Sequence, residues 1–256
     1  AVVPEGLPAV ITVTLALGTQ RMVRRQALIR KLPAVETLGS VTTICSDKTG
    51  TLTQNKMVVQ SIHTKSDSLQ VTGHGYIPEG EFLLDGQAIA PRNHSEATAL
   101  LTACILCNDS ILQKENGQWI IMGDPTEGAL LVAATKSGLE RHQLNDKLRR
   151  VAEFPFSSER KRMSVIVHDE SATQTSEFVP QSLLPTAYSL FCKGSPELVL
   201  ERCQYISVDG HPVPLNNDWR DQILEQNNRL AGKGLRVLGF ACKPLEGLPP
   251  EGSDEQ

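Results

Sequence analysis

The segment VTTICSDKTGTLTQNKM at residues 41–57 constrains the fold of this chain most strongly. Val41 to Cys45 is rich in β-branched residues and leads into Asp47, after which Lys48-Thr49-Gly50-Thr51 has the composition of a turn. This order predicts a buried strand with Asp47 at its carboxyl end. Because open α/β sheets carry their active sites at that end of their strands, the segment predicts such a sheet with Asp47 exposed at its edge.

The residues around Asp47 are suited to phosphoryl chemistry. An exposed carboxylate followed by backbone N–H groups, a lysine and hydroxyls can accept a phosphoryl group, because donors and cations stabilise the phosphoryl oxygens during transfer. As a bare pattern, however, a strand followed by Asp-Lys and a turn is often only a strand exit with a turn-forming acid. The residues alone leave both interpretations open.

Length and composition are those of a globular protein. The 256 residues exceed a typical domain of about 100 to 200 residues, so one large or two smaller units are expected. Hydrophobic residues make up 40% and charged residues 21%, which excludes a disordered or collagen-like chain. A formal net charge of -4 with 4% aromatic residues offers no broad basic face, so nucleic acid is not expected as a partner.

The six cysteines are spread along the chain without the spacing of a disulfide scaffold, and we expect reduced thiols in a cytosolic setting. Cys104 and Cys107 form a CxxC pair, a spacing that can bind zinc or exchange thiols. No second pair lies at a zinc-finger distance, and the pair falls within a predicted helix with Ser95 as its cap. Core packing is therefore favoured, and we assign no metal to the pair.

Residues 1–18 are apolar apart from Glu5, but the run is shorter than the about 20 residues that span a bilayer. Basic residues follow the run, which fits the cytoplasmic end of a membrane helix better than a signal peptide. Pro4 and Pro8 would free carbonyl oxygens on both sides of Glu5, making Glu5 a candidate ligand for a hard cation. A buried amphipathic helix with Glu5 in its exposed first turn is an equally open alternative.

The middle of the chain predicts a mixed α/β module. Strand-like segments lie at residues 118–122, 163–167, 188–193 and 235–242, and helix-like segments at 95–108, 124–137, 195–203 and 218–231. Asp124-Pro125 and Ser195-Pro196 each place a capping side chain before a proline at the first helical position. Residues 66–92 and 171–185 are expected to be surface loops.

Several motifs occur together along nearly the whole chain. They are PEGLP at 4–8, DKTGTLT at 47–53, CNDS at 107–110, GDPTEGALL at 123–131, FPFSSERKRMSV at 154–165, FCKGSPE at 191–197 and GLRVLGFA at 234–241. In this order the sequence resembles the P-type cation-transporting ATPases, specifically the calcium-pump-like branch. The resemblance implies an α/β fold in which an α+β nucleotide-binding domain, an antiparallel sheet flanked by helices, is inserted into an incomplete Rossmann-like HAD phosphorylation domain.

The same resemblance implies domain boundaries and catalytic residues. It places the end of a transmembrane helix at 1–20, a stalk and the start of the phosphorylation domain at 21–55, the nucleotide-binding domain at 56–245 and a return linker at 246–256. Asp47 is then phosphorylated by ATP, and Lys48 and Thr49 help to hold phosphate. Asp47 and the Thr49 carbonyl would bind Mg²⁺, and Glu5 would bind the transported cation.

An ATP site is implied by the resemblance on six further residues: Glu127, Phe156, Lys161, Lys193, Gly194 and Arg236. Glu127 is implied to contact the adenine amino group, although three residues after Asp124 it is also placed as the reciprocal acid of a capping box. Phe156 is implied to stack on adenine, with a core aromatic as the alternative.

The other four residues also have implied roles. Lys161 and Arg236 are implied to face phosphate, against the alternatives of a solvated edge and a surface strand charge. Lys193 corresponds to an adenine-pocket lysine, and Gly194 would let the ligand approach the backbone. Ser158 stands where calcium pumps often carry an arginine, so one phosphate contact is expected to be lost.

The implied function is part of an ATP-driven cation pump that forms an aspartyl-phosphate, with ATP and Mg²⁺ as cofactors and Ca²⁺ as the favoured cargo. Because PEGLP is shared with manganese, sodium and proton-coupled relatives, the identity of the transported ion stays open. The whole protein is expected to be a multi-pass membrane protein with this segment mainly cytoplasmic, so its partners would include lipid and the rest of the pump chain.

Since TGES-type and TGDGxND segments are missing, the chain alone is predicted to be inactive. An isolated ATP-binding module and a soluble phosphotransferase or phosphatase are the rival classes, and the apolar residues 1–18 argue against the latter.

Overall fold

The computed structural model describes residues 6–47, 53, 55–170 and 178–249. The chain divides into two compact units, Ala1–Gln54 and Asn55–Gln256. The described part of the first unit holds helices α1 (Leu7–Arg24) and α2 (Pro33–Gly39). Of the helices in the described ranges, none is both long enough and apolar enough to cross a membrane. Glu5 lies outside the described residues.

The predicted strand at Val41 to Cys45 is wrong. Residues 41–47 have no regular secondary structure, and all of them are exposed. A β-rich run becomes a strand only by pairing with a neighbour, and none of the strands in the described ranges pairs with this segment. Asp47 is therefore exposed, as predicted, but on a segment without regular secondary structure instead of a sheet edge.

The second unit combines helices with antiparallel sheets. Its helices are α3 (Ser95–Leu106), α4 (Pro125–Lys136), α5 (Arg141–Lys147), α6 (Pro196–Leu200) and α7 (Asn217–Gly232). Its strands are β1 (Ser61–His63), β2 (Ser68–Val71), β3 (Phe82–Leu84), β4 (Gln87–Ile89), β5 (Ile111–Glu115), β6 (Gln118–Met122), β7 (Leu148–Ser157), β8 (Arg162–Asp169), β9 (Tyr188–Gly194), β10 (Tyr205–Val208), β11 (His211–Pro214) and β12 (Gly239–Leu245). The α+β part of the predicted fold class is confirmed.

A four-stranded antiparallel sheet in the order β12-β9-β8-β7 forms the centre of this unit. Its second strand from the edge, β8, is buried from Arg162 to Val167, as expected for a strand covered on both faces. Met163, Val165 and Phe191 join residues of α3 and α4 in the hydrophobic core. Both helices are buried over most of their length, so this sheet and helix pair form the core of the unit.

The remaining strands form smaller antiparallel elements. β1 to β4 make a meander, and β5–β6 and β10–β11 are separate hairpins. The β5–β6 hairpin packs on α4 at Gly128, where a side chain would come within 2.6 Å of Ile121. This glycine therefore allows the first turn of α4 to lie directly against β6.

Several predicted elements need correction. Residues 66–92 are not a loop, because they contain β2, β3 and β4. In the predicted loop at 171–185, residues 171–177 lie outside the described part, and Phe178 and Val179 are buried instead of exposed. The strand predicted at 235–242 begins only at Gly239, because Gly239 pairs with Gly194, the last residue of its neighbour β9. Strands at 118–122, 163–167 and 188–193 are confirmed.

Of the three predicted helix caps, one is wrong and one is confirmed only in its position. The N-cap of α3 is His94 instead of Ser95. Ser195 is the N-cap residue of α6 as predicted, but its hydroxyl donates to the Glu197 carboxylate at 2.5 Å instead of accepting from the backbone. Only Asp124 caps its helix as predicted.

The interpretation of the CxxC pair as core residues is confirmed. Cys104 and Cys107 are 2% and 0% exposed and belong to the hydrophobic core. Burial raises the pKa of the Cys104 thiol to about 12, and burial also raises the pKa of Cys107. Both thiols are therefore protonated at neutral pH.

Candidate functional site

The first turn of α4 is built by Asp124. Its Oδ1 accepts hydrogen bonds from the backbone N–H of Thr126 at 2.8 Å and of Glu127 at 3.2 Å, and Pro125 occupies the first helical position. Partial burial tends to raise the pKa of Asp124, but hydrogen bonds from Thr126 and Glu127 and the charge of Arg236 outweigh it, so the pKa is lowered. An ionised, capped aspartate thus fixes the backbone from which Glu127 projects.

Glu127 is paired with Lys193. Its Oε1 lies 2.7 Å from the Lys193 Nζ, and the Lys193 side chain is only 9% exposed. Its Oε2 accepts from the Asp109 N–H at 3.0 Å and from the Ser110 hydroxyl at 3.4 Å. Asp124 therefore caps the helix, but Glu127 is not the reciprocal acid of a capping box. Its carboxylate binds Lys193 and the turn at residues 109–110 instead.

Lys193 and Gly194 close the end of β9. Lys193 pairs with Met163 of β8, and Gly194 with Arg162. A side chain at Gly194 would approach the Arg162 Cβ to 2.6 Å and the Lys161 carbonyl oxygen to 2.7 Å. The missing side chain thus makes room for the neighbouring strand, and this close strand contact accounts for the glycine without a ligand.

Arg236 reaches the same helix terminus from the segment before β12. Its Nη1 donates to the Thr126 hydroxyl at 3.2 Å, and the residue is exposed. Because Arg236 precedes β12, the alternative of a charge on a surface strand is wrong. The guanidinium places a positive charge beside Asp124 and the first turn of α4.

Phe156 lies near the end of β7 and is 61% exposed, so the alternative of a core aromatic is wrong. The pairing of β7 with β8 shifts register between Phe154 and Ser157, which accommodates Phe156 in an irregular stretch of the edge strand. A ring of this size exposed on a folded domain is available for contact with a flat ligand.

Lys161 lies in the turn between β7 and β8. Its φ is 49°, an uncommon value for a lysine, and its N–H donates to the Ser157 carbonyl at 2.7 Å. Its own carbonyl accepts from the Ser195 N–H at 3.0 Å, next to Gly194. The turn therefore brings an exposed lysine to the end of β9 that carries Lys193.

The structure thus brings part of the predicted set together. Glu127 and Lys193 are in direct contact, Arg236 joins them through Thr126, and Lys161 is tied to β9 through Ser195. Asp47 belongs to the other unit, and Lys48, Thr49 and Glu5 lie outside the described residues. Sequence reasoning missed the contacts of Glu127 with Asp109 and Ser110, although the CNDS motif contains both residues.

Comparison with known proteins identifies the class. Residues 96–256 match the family described as P-type ATPase, cytoplasmic domain N, which is more than half of the chain. The chain therefore belongs to the P-type ATPases.

Individual relatives refine this result. The chain is 39% identical over 246 residues to a calcium-transporting ATPase of Bacillus subtilis, an alignment that covers 96% of this chain and 26% of that protein. It is 42% identical over 247 residues to the human calcium-transporting ATPase type 2C member 1, covering 95% and 25%, respectively. It is also 42% identical over 256 residues to the cation-transporting ATPase pma1 of Synechocystis, covering 95% and 26%. The chain spans about a quarter of the length of these relatives.

Proposed function

We propose that this chain is the ATP-binding and phosphorylated part of an ATP-driven cation pump. The arrangement of Glu127, Lys193 and Arg236 around the first turn of α4 carries the proposal, because it joins a hydrogen-bond acceptor and a lysine for the base to an arginine for phosphate within residues matched to domain N. The DKTGTLT segment on the same chain supplies the phosphate acceptor.

In this proposal the adenine ring stacks on Phe156, whose exposed face needs no rearrangement to receive it. The adenine amino group donates to Glu127. A carboxylate offers about four acceptor positions, and Asp109, Ser110 and Lys193 use three of them. The remaining position is on Oε1, beside the Lys193 ammonium.

The phosphate groups would lie against cations. Lys161 and Arg236 are both exposed and can approach an anionic ligand without losing a buried partner. Charge-assisted hydrogen bonds to phosphate are stronger than neutral ones, but in an exposed site salt screens them. The base contacts therefore give selectivity, and the cations give salt-dependent affinity.

Asp47 is the proposed phosphate acceptor. A carboxylate oxygen of Asp47 attacks the γ-phosphorus of ATP, the bond to the bridging oxygen breaks, and ADP leaves. Lys48 and Thr49 hold the transferred group in this proposal. The Asp47 carboxylate, exposed in the structure, and the Thr49 carbonyl are hard oxygen donors of the kind that Mg²⁺ prefers. When bound there, Mg²⁺ neutralises charge on the transferred phosphoryl group.

The test uses the whole protein and labelling by ATP radioactive in its γ-phosphate. Asp47→Asn should abolish acid-stable, hydroxylamine-sensitive labelling, because an amide cannot act as the attacking carboxylate. Asp221→Asn, which changes an exposed aspartate on α7, is the matched control and should retain labelling. Labelling that persists in Asp47→Asn would refute the assignment.

Calcium is the proposed cargo, since two of the relatives above are calcium-transporting ATPases and PEGLP places Glu5 among prolines. Glu5→Gln in the whole protein should impair calcium-dependent phosphorylation without weakening ATP binding, because the carboxylate charge sets affinity for a hard cation. Unchanged calcium dependence would remove Glu5 from the transport site, and dependence on manganese or sodium instead would change the cargo.

A further inference from the structure

The turn at Asn108–Ser110 holds the Glu127 carboxylate in one orientation. The Asp109 N–H and the Ser110 hydroxyl both donate to Oε2, whereas Lys193 binds Oε1. The turn itself is held by Asn108, which is 3% exposed and donates to the Cys104 carbonyl at 3.0 Å and to the Glu127 carbonyl at 2.8 Å. The direction in which the unused acceptor position of the Glu127 carboxylate points therefore depends on where this turn places the Asp109 N–H group.

Arg150 lies on strand β7 and reaches the turn with its side chain. Its Nη1 lies 2.8 Å from the Asp109 Oδ1, and its Nη2 lies 2.7 Å from the Glu153 Oε2. Three residues beyond Glu153, the same strand carries Phe156. The Arg150–Glu153 pair lies within one strand, so the Arg150–Asp109 ion pair is the contact that joins the turn to the strand carrying Phe156.

We propose that Asp109 and Arg150 are positioning residues for base recognition at Glu127, an inference that rests on the proposed ATP site. They fix the turn whose N–H holds Oε2, so that Glu127 presents an acceptor on Oε1. An acceptor at that point favours a base with an amino group and disfavours one with a carbonyl in the same place.

The prediction concerns selectivity. If the turn moves, the carboxylate rotates and its free acceptor no longer faces the base, whereas the neighbouring Lys193 ammonium can still donate to a base carbonyl. Inosine triphosphate carries a carbonyl where ATP carries the amino group and is otherwise close in shape. Loss of the positioning residues should therefore lower ATP affinity more than inosine triphosphate affinity.

The experiment measures the dissociation constants of both nucleotides for the 256-residue chain by calorimetry. Arg150→Ala should lower the preference for ATP over inosine triphosphate by about fivefold, the equivalent of one ordinary hydrogen bond. Arg150→Lys, which keeps the charge opposite Asp109, should recover part of the preference. Arg220→Ala is the matched control, because Arg220 bonds the carbonyls of Leu200 and Cys203 on another part of the domain, and it should leave the preference unchanged.

An unchanged preference in a folded Arg150→Ala chain would overturn the inference. If that variant does not fold, Asp109→Asn replaces it, since the Asp109 side chain is 59% exposed and its amide keeps the shape. The same loss of preference in Asp109→Asn supports the inference, and a wild-type preference overturns it. A wild-type chain that binds neither nucleotide would instead refute the proposed ATP site itself.

Discussion

Replacing Phe156 by alanine is the sharpest test of the base-binding surface. The side chain is 61% exposed, so only about two fifths of its surface, roughly 80 Å² of the about 200 Å² of a phenylalanine, contributes to folding. At about 25 cal/mol per Å² this burial is worth at most about 2 kcal/mol. The variant should therefore remain folded, and any loss of binding reports on the ligand contact.

Stacking of a base on an aromatic ring contributes roughly 1 to 3 kcal/mol, so Phe156→Ala should weaken ATP binding by about fivefold to about 150-fold. Phe156→Trp keeps an aromatic face and should bind ATP nearly as the wild type does. Because stacking involves no net charge, the loss in Phe156→Ala should be the same at low and at high salt.

Calorimetric titration with ATP at two salt concentrations measures these effects, and circular dichroism checks folding. Tyr205→Ala is the matched control, since Tyr205 is another exposed aromatic, 58% exposed on β10 and outside the proposed site. A folded Phe156→Ala chain that binds ATP with wild-type affinity would refute the stacking role.

Three further predictions follow from the described geometry. Arg236→Ala should weaken ATP binding at low salt and much less at high salt, since its charge is exposed; an equal loss in both titrations would contradict a screened phosphate contact. Lys161→Ala and Lys161→Gly should both weaken ATP binding, but the glycine variant should be more stable to urea by roughly 0.5 to 1 kcal/mol, because φ is 49° at this position. Equal stability of the two variants would show that the positive φ carries no strain. In the native chain at neutral pH, iodoacetamide should modify the exposed Cys45 but spare Cys104 and Cys107, whose pKa values burial raises; rapid modification of all three would contradict the buried CxxC pair.

Local patterns predicted strand β6 well. Asn116 and Gly117 have φ values of 49° and 80°, the geometry that a tight hairpin turn requires, and β6 follows with the predicted bounds. Asp85 and Gly86 have φ values of 50° and 81° and form the same kind of turn, between β3 and β4. A loop is predicted there from the sequence, so this hairpin was missed. Strands of three residues, such as β3 and β4, are too short to show a recognisable alternation of apolar and polar residues. Only the Asp-Gly turn between them could have indicated this hairpin.

Long-range contacts set the limit of the sequence reasoning. Val41 to Cys45 has strand composition but no partner strand within the described ranges, and composition cannot supply one. Glu127 and Lys193 are 66 positions apart, so their ion pair follows only from the tertiary fold, which brings the start of α4 to the end of β9. The resemblance placed both residues in one expected site, and the structure shows their side chains in contact, whereas the role of Gly194 as a strand contact needed coordinates.

The most direct test of the account is an NMR titration of the isotope-labelled 256-residue chain with ATP. We expect saturable shifts centred on the amides of Asp109, Glu127, Lys161 and Gly194 and on residues around Phe156. Shifts confined to another surface, such as the Gln222 and Gln226 face of α7, or no saturable shifts at all, would contradict the proposed nucleotide site.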